Sequence, residues 1–156
     1  MKNEENVKLL CGDRKNGILG IYENDILIKK IPYNQGKING KVDIYDPKGN
    51  LVEEIEYISG KKCGISKKYD SKHRLISETE YQDGELNGRT IIYFENGEIK
   101  SITDYKNGKI HGDLKIYDRN GKMVYRTTHE DGTRFSTSGD IYDRHERINE
   151  FDDIDI

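Results

Sequence analysis

The chain has 156 residues, a length that suits one domain, but only 33% of them are hydrophobic. That is well short of the roughly 45–50% of ordinary globular domains and argues against a thick two-layer core. Charged residues make up 35% yet nearly cancel, 26 basic against 29 acidic, so no broad basic field exists to hold a phosphate backbone, and nucleic acid is not the expected partner.

The opening MKNEENVKLLCGD lacks the apolar run of a signal peptide, and no later stretch approaches the ~18 apolar residues of a membrane span, so a soluble cytoplasmic protein is expected. Residues 1–8 read as a lead-in. From residue 9 the chain falls into rows of 24, and the spacing is marked by Tyr33, Tyr45, Tyr57, Tyr69, Tyr81, Tyr93, Tyr105 and Tyr117, twelve residues apart throughout. A degenerate row, LLCGDRKNGILGIYENDILIKKIP, comes first. Four rows without gaps follow, from YNQGKINGKVDIYDPKGNLVEEIE to YKNGKIHGDLKIYDRNGKMVYRTT, each with a Gly three residues after the leading Tyr and another four later. Residues 133–156 hold a degenerate final repeat and an acidic tail in which seven acids meet two basic residues. The tail reads as a flexible segment or, with its carboxylates against the last strand, as a cap that discourages edge-to-edge pairing.

Each row predicts two strands and two turns. Segments such as RTIIYF and EIKSITDY are β-branched, aromatic and bounded by Asn-Gly or Asp-Gly pairs. In YDPKGNL, Pro47 presets a turn and Gly49 suits the left-handed position that closes a three-residue loop; His73 takes the corresponding place in the next row. Such a loop sets Tyr45 opposite Leu51, Tyr69 opposite Leu75, Tyr93 opposite Ile99 and Tyr117 opposite Met123. Strict alternation then puts Tyr33, Tyr57, Tyr81 and Tyr105 on the same face as these pairs, as a structural ladder that substitutes for a globular core. The architecture expected is all-β, an elongated single-layer antiparallel sheet of successive β-hairpins with a 24-residue repeat.

The pattern YKNGKIHGDLKIYDRNGK resembles the MORN repeat in its bacterial variant, over residues 9–132. The resemblance implies a solenoid-like interaction scaffold, and proteins of this type are often described as antitoxin or immunity partners of a toxin. The first Gly comes three residues after Tyr, as from Tyr105 to Gly108, where the eukaryotic motif has it two after, a departure that weakens transfer of the membrane-tethering role of eukaryotic relatives.

Chemistry is sparse. GKINGKV has a phosphate-loop flavour but is one residue short and ends in Val42 where Ser or Thr would hold magnesium. His73, His111, His129 and His145 occur singly, with no metal-ligand spacing and no nucleophile beside them, and His111 reads as a polar turn residue in the place of Asn39, Cys63 and Asn87. Cys11 and Cys63, a little over two repeats apart, are expected to remain reduced. No enzyme activity, cofactor or metal is expected.

Alternation places Ile44 opposite Val52, Lys68 opposite Ile76, Ile92 opposite Lys100 and Ile116 opposite Val124, with Glu54, Glu56, Glu78, Glu80 and Asp104 on the same face. An aliphatic strip on a one-layer sheet is either ordinary β propensity on a half-wet face, covered by a neighbouring subunit or the tail, or a partner site. The partner-binding residues expected are Ile44, Ile76, Ile92 and Ile116, bordered by Glu54, Glu78 and Glu80. The expected function is noncatalytic protein binding, in the resemblance's terms neutralising a toxin, and self-association fits the same strip. The competing function is peripheral binding of anionic phospholipid, for which Lys61, Lys62, Lys67 and Lys68 form the compact basic cluster.

Overall fold

The computed structural model describes residues 5–137. The first strands are β1 (Glu5–Gly12), β2 (Gly17–Glu23), β3 (Ile26–Asn34), β4 (Lys37–Ile38), β5 (Gly40–Tyr45), β6 (Leu51–Ile58) and β7 (Lys61–Lys62). They are followed by β8 (Gly64–Tyr69), β9 (Leu75–Gln82), β10 (Glu85–Tyr93), β11 (Ile99–Lys106), β12 (Lys109–Tyr117), β13 (Met123–Glu130) and β14 (Thr133–Thr137). All belong to one antiparallel sheet in which each main strand pairs with the next along the chain, while the short β4 and β7 pair back onto β3 and β6. At ~4.8 Å between strands this meander extends about 50 Å across the strands. The expected single-layer sheet of hairpins is the fold observed.

Two kinds of turn alternate. Gln35-Gly36, Ser59-Gly60, Asp83-Gly84, Asn107-Gly108 and Asp131-Gly132 have both residues at positive φ, the two-residue type I′ geometry that follows the right-handed twist of the flanking strands. Asn24-Asp25 has the same two positive φ values, β1 and β2 are joined by a four-residue loop over 13–16, and the turns at 47–49, 71–73, 95–97 and 119–121 are the expected three-residue loops. In the loop at Pro47, Gly49 N donates to the Asp46 carbonyl at 2.9 Å and Asp46 N to the Asn50 carbonyl at 2.9 Å, and the Asp46 carboxylate accepts the Lys48 and Asn50 amides. Asp70 and Asp118 repeat this arrangement. His73 sits at φ 60°, its ring stacked on Tyr69 with centroids 4.8 Å apart.

The loops set Tyr45 against Leu51, Tyr69 against Leu75, Tyr93 against Ile99 and Tyr117 against Met123, as expected. One step further the register slips. Ile44 pairs with Glu53, Lys68 with Ser77, Ile92 with Ser101 and Ile116 with Tyr125, because Val52, Ile76, Lys100 and Val124 are the extra residues of β-bulges. The expected opposition of Ile44 to Val52, and of its three counterparts, is corrected accordingly. A slip of one residue exchanges the faces of everything beyond it. Tyr33, Tyr57, Tyr81 and Tyr105 therefore lie on the face opposite to Tyr45, Tyr69, Tyr93 and Tyr117, where strict alternation placed all eight together.

Face A carries Tyr57 and its equivalents, and it contains the core, which is one residue wide. Successive registers align Leu19, Ile31, Val42, Ile55, Ser66, Thr79, Thr90, Thr103, Leu114 and Thr127 across the sheet. The buried residues Ile31, Val42, Ile55, Ser66 and Thr127, the last only 1% exposed, all belong to this line. On a one-layer sheet such burial is reached only beneath the longer side chains of the flanking rows.

Candidate functional site

On one flank of the core line, Tyr33 pairs with Ile38, Tyr57 with Lys62, Tyr81 with Leu86 and Tyr105 with Ile110. The Lys62 ammonium lies 4.8 Å above the Tyr81 ring centroid, so this row reaches the tyrosine of the next. Burial pushes the Tyr105 phenol up from its ordinary range. On the other flank the registers run Lys29, Ile44, Glu53, Lys68, Ser77, Ile92, Ser101, Ile116 and Tyr125. Ile44, Ile92 and Ile116 thus share one line on face A, half-buried, with serines and charged residues interleaved.

The remaining expected site residues are placed differently. Ile76, in its bulge, is 36% exposed. Glu54 and Glu78 occupy the middle row of face B, which runs Lys30, Asp43, Glu54, Lys67, Glu78, Ile91, Ile102, Lys115 and Arg126. Glu80 pairs with Ile65 on that same face. The carboxylates expected to border the isoleucine strip therefore lie across the sheet from Ile44, Ile92 and Ile116, displaced by the bulges.

Face B satisfies much of its own charge. Glu54 binds Lys41 and accepts the Tyr69 hydroxyl at 2.7 Å, and these two partners hold its carboxyl below the usual range. Glu78 accepts the Tyr93 hydroxyl at 2.7 Å and lies 3.5 Å from the Lys67 ammonium. Burial first, and then the glutamate acceptor, pushes the Tyr69 and Tyr93 phenols up to about 12. Further along, Asp113 receives both Lys115 at 3.1 Å and Arg126 at 2.8 Å.

These contacts expose a relation that the 24-residue repeat conceals. Three of the four first-turn tyrosines lie against the residue fifteen positions earlier. Tyr69 bonds Glu54 and Tyr93 bonds Glu78, while Tyr45 has the Lys30 ammonium 5.5 Å from its ring centroid. The same count from Tyr117 reaches Ile102.

The second Gly of each row also has a definite duty. Residues 87–89 oppose Glu80 alone, and residues 111–113 oppose Asp104 alone. Gly88 and Gly112 adopt φ 120° and 109° there, a Cβ on Gly88 would collide with the Glu80 carboxylate, and Asp113 N donates to Asp104 Oδ2 at 2.9 Å. The acid occupies the space a side chain would need, so Gly is required. His111 accepts the Asp131 amide at 3.4 Å, as Asn39 accepts that of Ser59 at 3.1 Å, which is the turn role expected of it.

The four lysines that suggested a lipid surface are divided. Lys62 and Lys68 belong to face A, whereas Lys67 belongs to face B, and Lys61 at the start of β7 lies 3.3 Å from Asp83. Among the described residues no group of three or more His, Cys, Asp or Glu is placed to hold a metal ion, and no helix is long and apolar enough to cross a membrane. Cys11 and Cys63 are free thiols. The expected acidic cap, and His145 with it, lie outside the described residues.

No curated protein matches the chain. Among solved structures it is similar to a chain described as "Crystal structure of GtfA/B complex bound to UDP and GlcNAc", at 16% identity and a TM-score of 0.35. That alignment covers 80% of this chain but only 24% of the other. The chain's own hairpins give the clearer comparison. Residues 38–59, 86–107 and 110–131 match the family model described as MORN repeat variant, and each match spans one three-residue-loop hairpin and ends on the first residue of the type I′ turn that follows it. The hairpin of β8 and β9 is built the same way but has Cys63 and His73 at positions where the third matched segment has His111 and Gly121. Three hairpins along the sheet are thus similar to the MORN repeat variant.

Proposed function

We propose that the protein is a noncatalytic binding module that receives another protein on face A. The observation that carries this reading is the asymmetry of the sheet. Face B sets Ile91 and Ile102 in a row whose carboxylates, lysines and phenols close largely onto one another, whereas face A presents Ile44, Ile92 and Ile116 on one flank of its core line and the tyrosines on the other, with no second layer over them among the described residues. Repeats of the matched type commonly serve as binding modules, in agreement with this reading. The resemblance to bacterial repeat proteins suggests a toxin as the partner, which the chain would neutralise.

The centre of the contact would desolvate Ile92 and Ile116. Lys29, Glu53 and Lys68, the charged members of the isoleucine line, would fix orientation in place of the glutamates on the other face. The test is capture of the partner from the native host, repeated with Ile92→Glu and Ile116→Glu and with the face-B control Arg89→Glu. Each variant must first keep its circular dichroism spectrum and melting curve. Loss of the partner from the isoleucine variants alone supports the reading. Loss from Arg89→Glu alone transfers the site to face B, and binding to anionic liposomes without any protein partner replaces the reading with the lipid one.

A further inference from the structure

A separate surface lies at the first edge of the sheet and does not depend on face A docking a globular partner. Among the described residues strand β1 pairs only with β2, so its outer row of backbone amides and carbonyls has no partner strand among them. Natural edges are usually blunted, yet Val7 is 58% exposed, Leu9 47% and Leu10 41%. Val7 pairs with Ile21 and Leu9 with Leu19, so both stand on face A, and Leu9 begins the core line that continues through Leu19 and Ile31. That line is cut off at β1 in mid-core.

The charged face is cut off at the same place. Lys8 pairs with Gly20, which pairs with Lys30. The middle row of face B thus starts from two lysines separated by a residue without a side chain. Further in, the row sets Lys30 beside Asp43, and Lys67 between Glu54 and Glu78. Lys8 has the Tyr22 ring at 4.6 Å and Asp25 only at 3.9 Å, with their side chains 55% and 90% exposed. Among the described residues its outer side lacks the acid that Lys30 has in Asp43.

We propose that the open edge of β1 takes an extended peptide segment as an additional strand, and that this segment alternates aliphatic with acidic side chains. Backbone pairing supplies the attachment. Aliphatic groups beside Val7 and Leu9 extend the face A core, and an acid beside Lys8 extends the charge alternation of face B. A second copy of the chain is a poorer occupant, because the antiparallel register that sets Val7 against Leu9 sets Lys8 against Lys8.

The test uses the full chain and a labelled synthetic peptide alternating isoleucine with glutamate, read by fluorescence anisotropy. Its counterparts carry lysine for glutamate, or N-methyl groups on the backbone nitrogens along one edge. The glutamate peptide is expected to bind at least tenfold tighter than the lysine peptide, and Lys8→Glu to reverse that order. N-methylation is expected to abolish binding, and Ile92→Glu to leave it unchanged, which separates this site from face A. Equal affinity for both peptides, no binding of either, or a β1-mediated dimer by light scattering overturns the proposal.

Discussion

Tyr93 and Tyr117 occupy the same position in adjacent rows, yet removing their hydroxyls should have unequal consequences. The Tyr93 hydroxyl lies 2.7 Å from Glu78, whose side chain is 24% exposed. A hydrogen bond to a charged group is worth about 1.5–3 kcal/mol, and partial exposure reduces that to about 1 kcal/mol here. Tyr93→Phe should therefore lower the melting temperature by about 3–4 °C for a chain of this size. Tyr117→Phe should be silent to within about 0.5 kcal/mol, since the residue fifteen positions earlier is Ile102, which has no acceptor. Tyr93→Ala removes the ring as well and should cost about 3 kcal/mol. The assay is thermal melting by circular dichroism, with a double-mutant cycle of Tyr93→Phe and Glu78→Gln expected to show coupling of about 0.5–1.5 kcal/mol. Equal losses for the two Phe variants, or no coupling in the cycle, would refute the fifteen-residue relation.

The same phenols should be visible in alkali. A folded-state pKa raised to about 12 for Tyr69 and Tyr93 means that the folded chain retains those protons, so their contribution is whole below pH 10 and is lost as pH rises from about 10 to 12. Ultraviolet titration of the phenolates should show a late fraction that disappears in the Tyr69→Phe, Tyr93→Phe double variant. At acid pH the sign is opposite: the lowered carboxyl of Glu54 contributes above its unfolded value near 4.5, and that contribution is lost as pH falls through the folded value. Gly88→Ala should destabilise by about 1–3 kcal/mol through its positive φ and its collision with Glu80, and Glu80→Ala should recover part of the loss in chemical denaturation. Cys11 is exposed and Cys63 partly covered, so a thiol reagent should modify Cys11 first under native conditions, and mass spectrometry should find no bridge between them.

The strands, the turn types and the pairing beside each three-residue loop were legible in the sequence because they rest on local chemistry. Pro47, Gly49 and the recurrent Gly near each tyrosine specify backbone geometry within four or five residues. The two faces were not legible. Leu51-Val52-Glu53 reads as simple alternation, and nothing in those three side chains announces that Val52 has no partner. That single omission placed Glu54, Glu78 and Glu80 on the wrong side and merged two sets of tyrosines that the sheet keeps apart. Ile44, Ile92 and Ile116 were correctly grouped, since all three lie on the strand before the loop, where the count is unaffected. The fifteen-residue relation was missed because it joins one hairpin to the next and has no chemical constant: its partners include Lys30, Glu54 and Glu78.

That variety has an evolutionary consequence. A phenol greets a cation with its ring, an anion with its hydroxyl and an aliphatic chain with its hydrocarbon edge. A tyrosine at each joint therefore tolerates whatever residue the preceding repeat offers. Excising residues 81–104, for example, would bring Tyr117 over Glu78, a junction that Tyr93 already makes. Whole repeats can be gained or lost by recombination without correlated changes at the seam, and the length of the sheet is free to drift in steps of 24 while its chemistry at every joint stays acceptable.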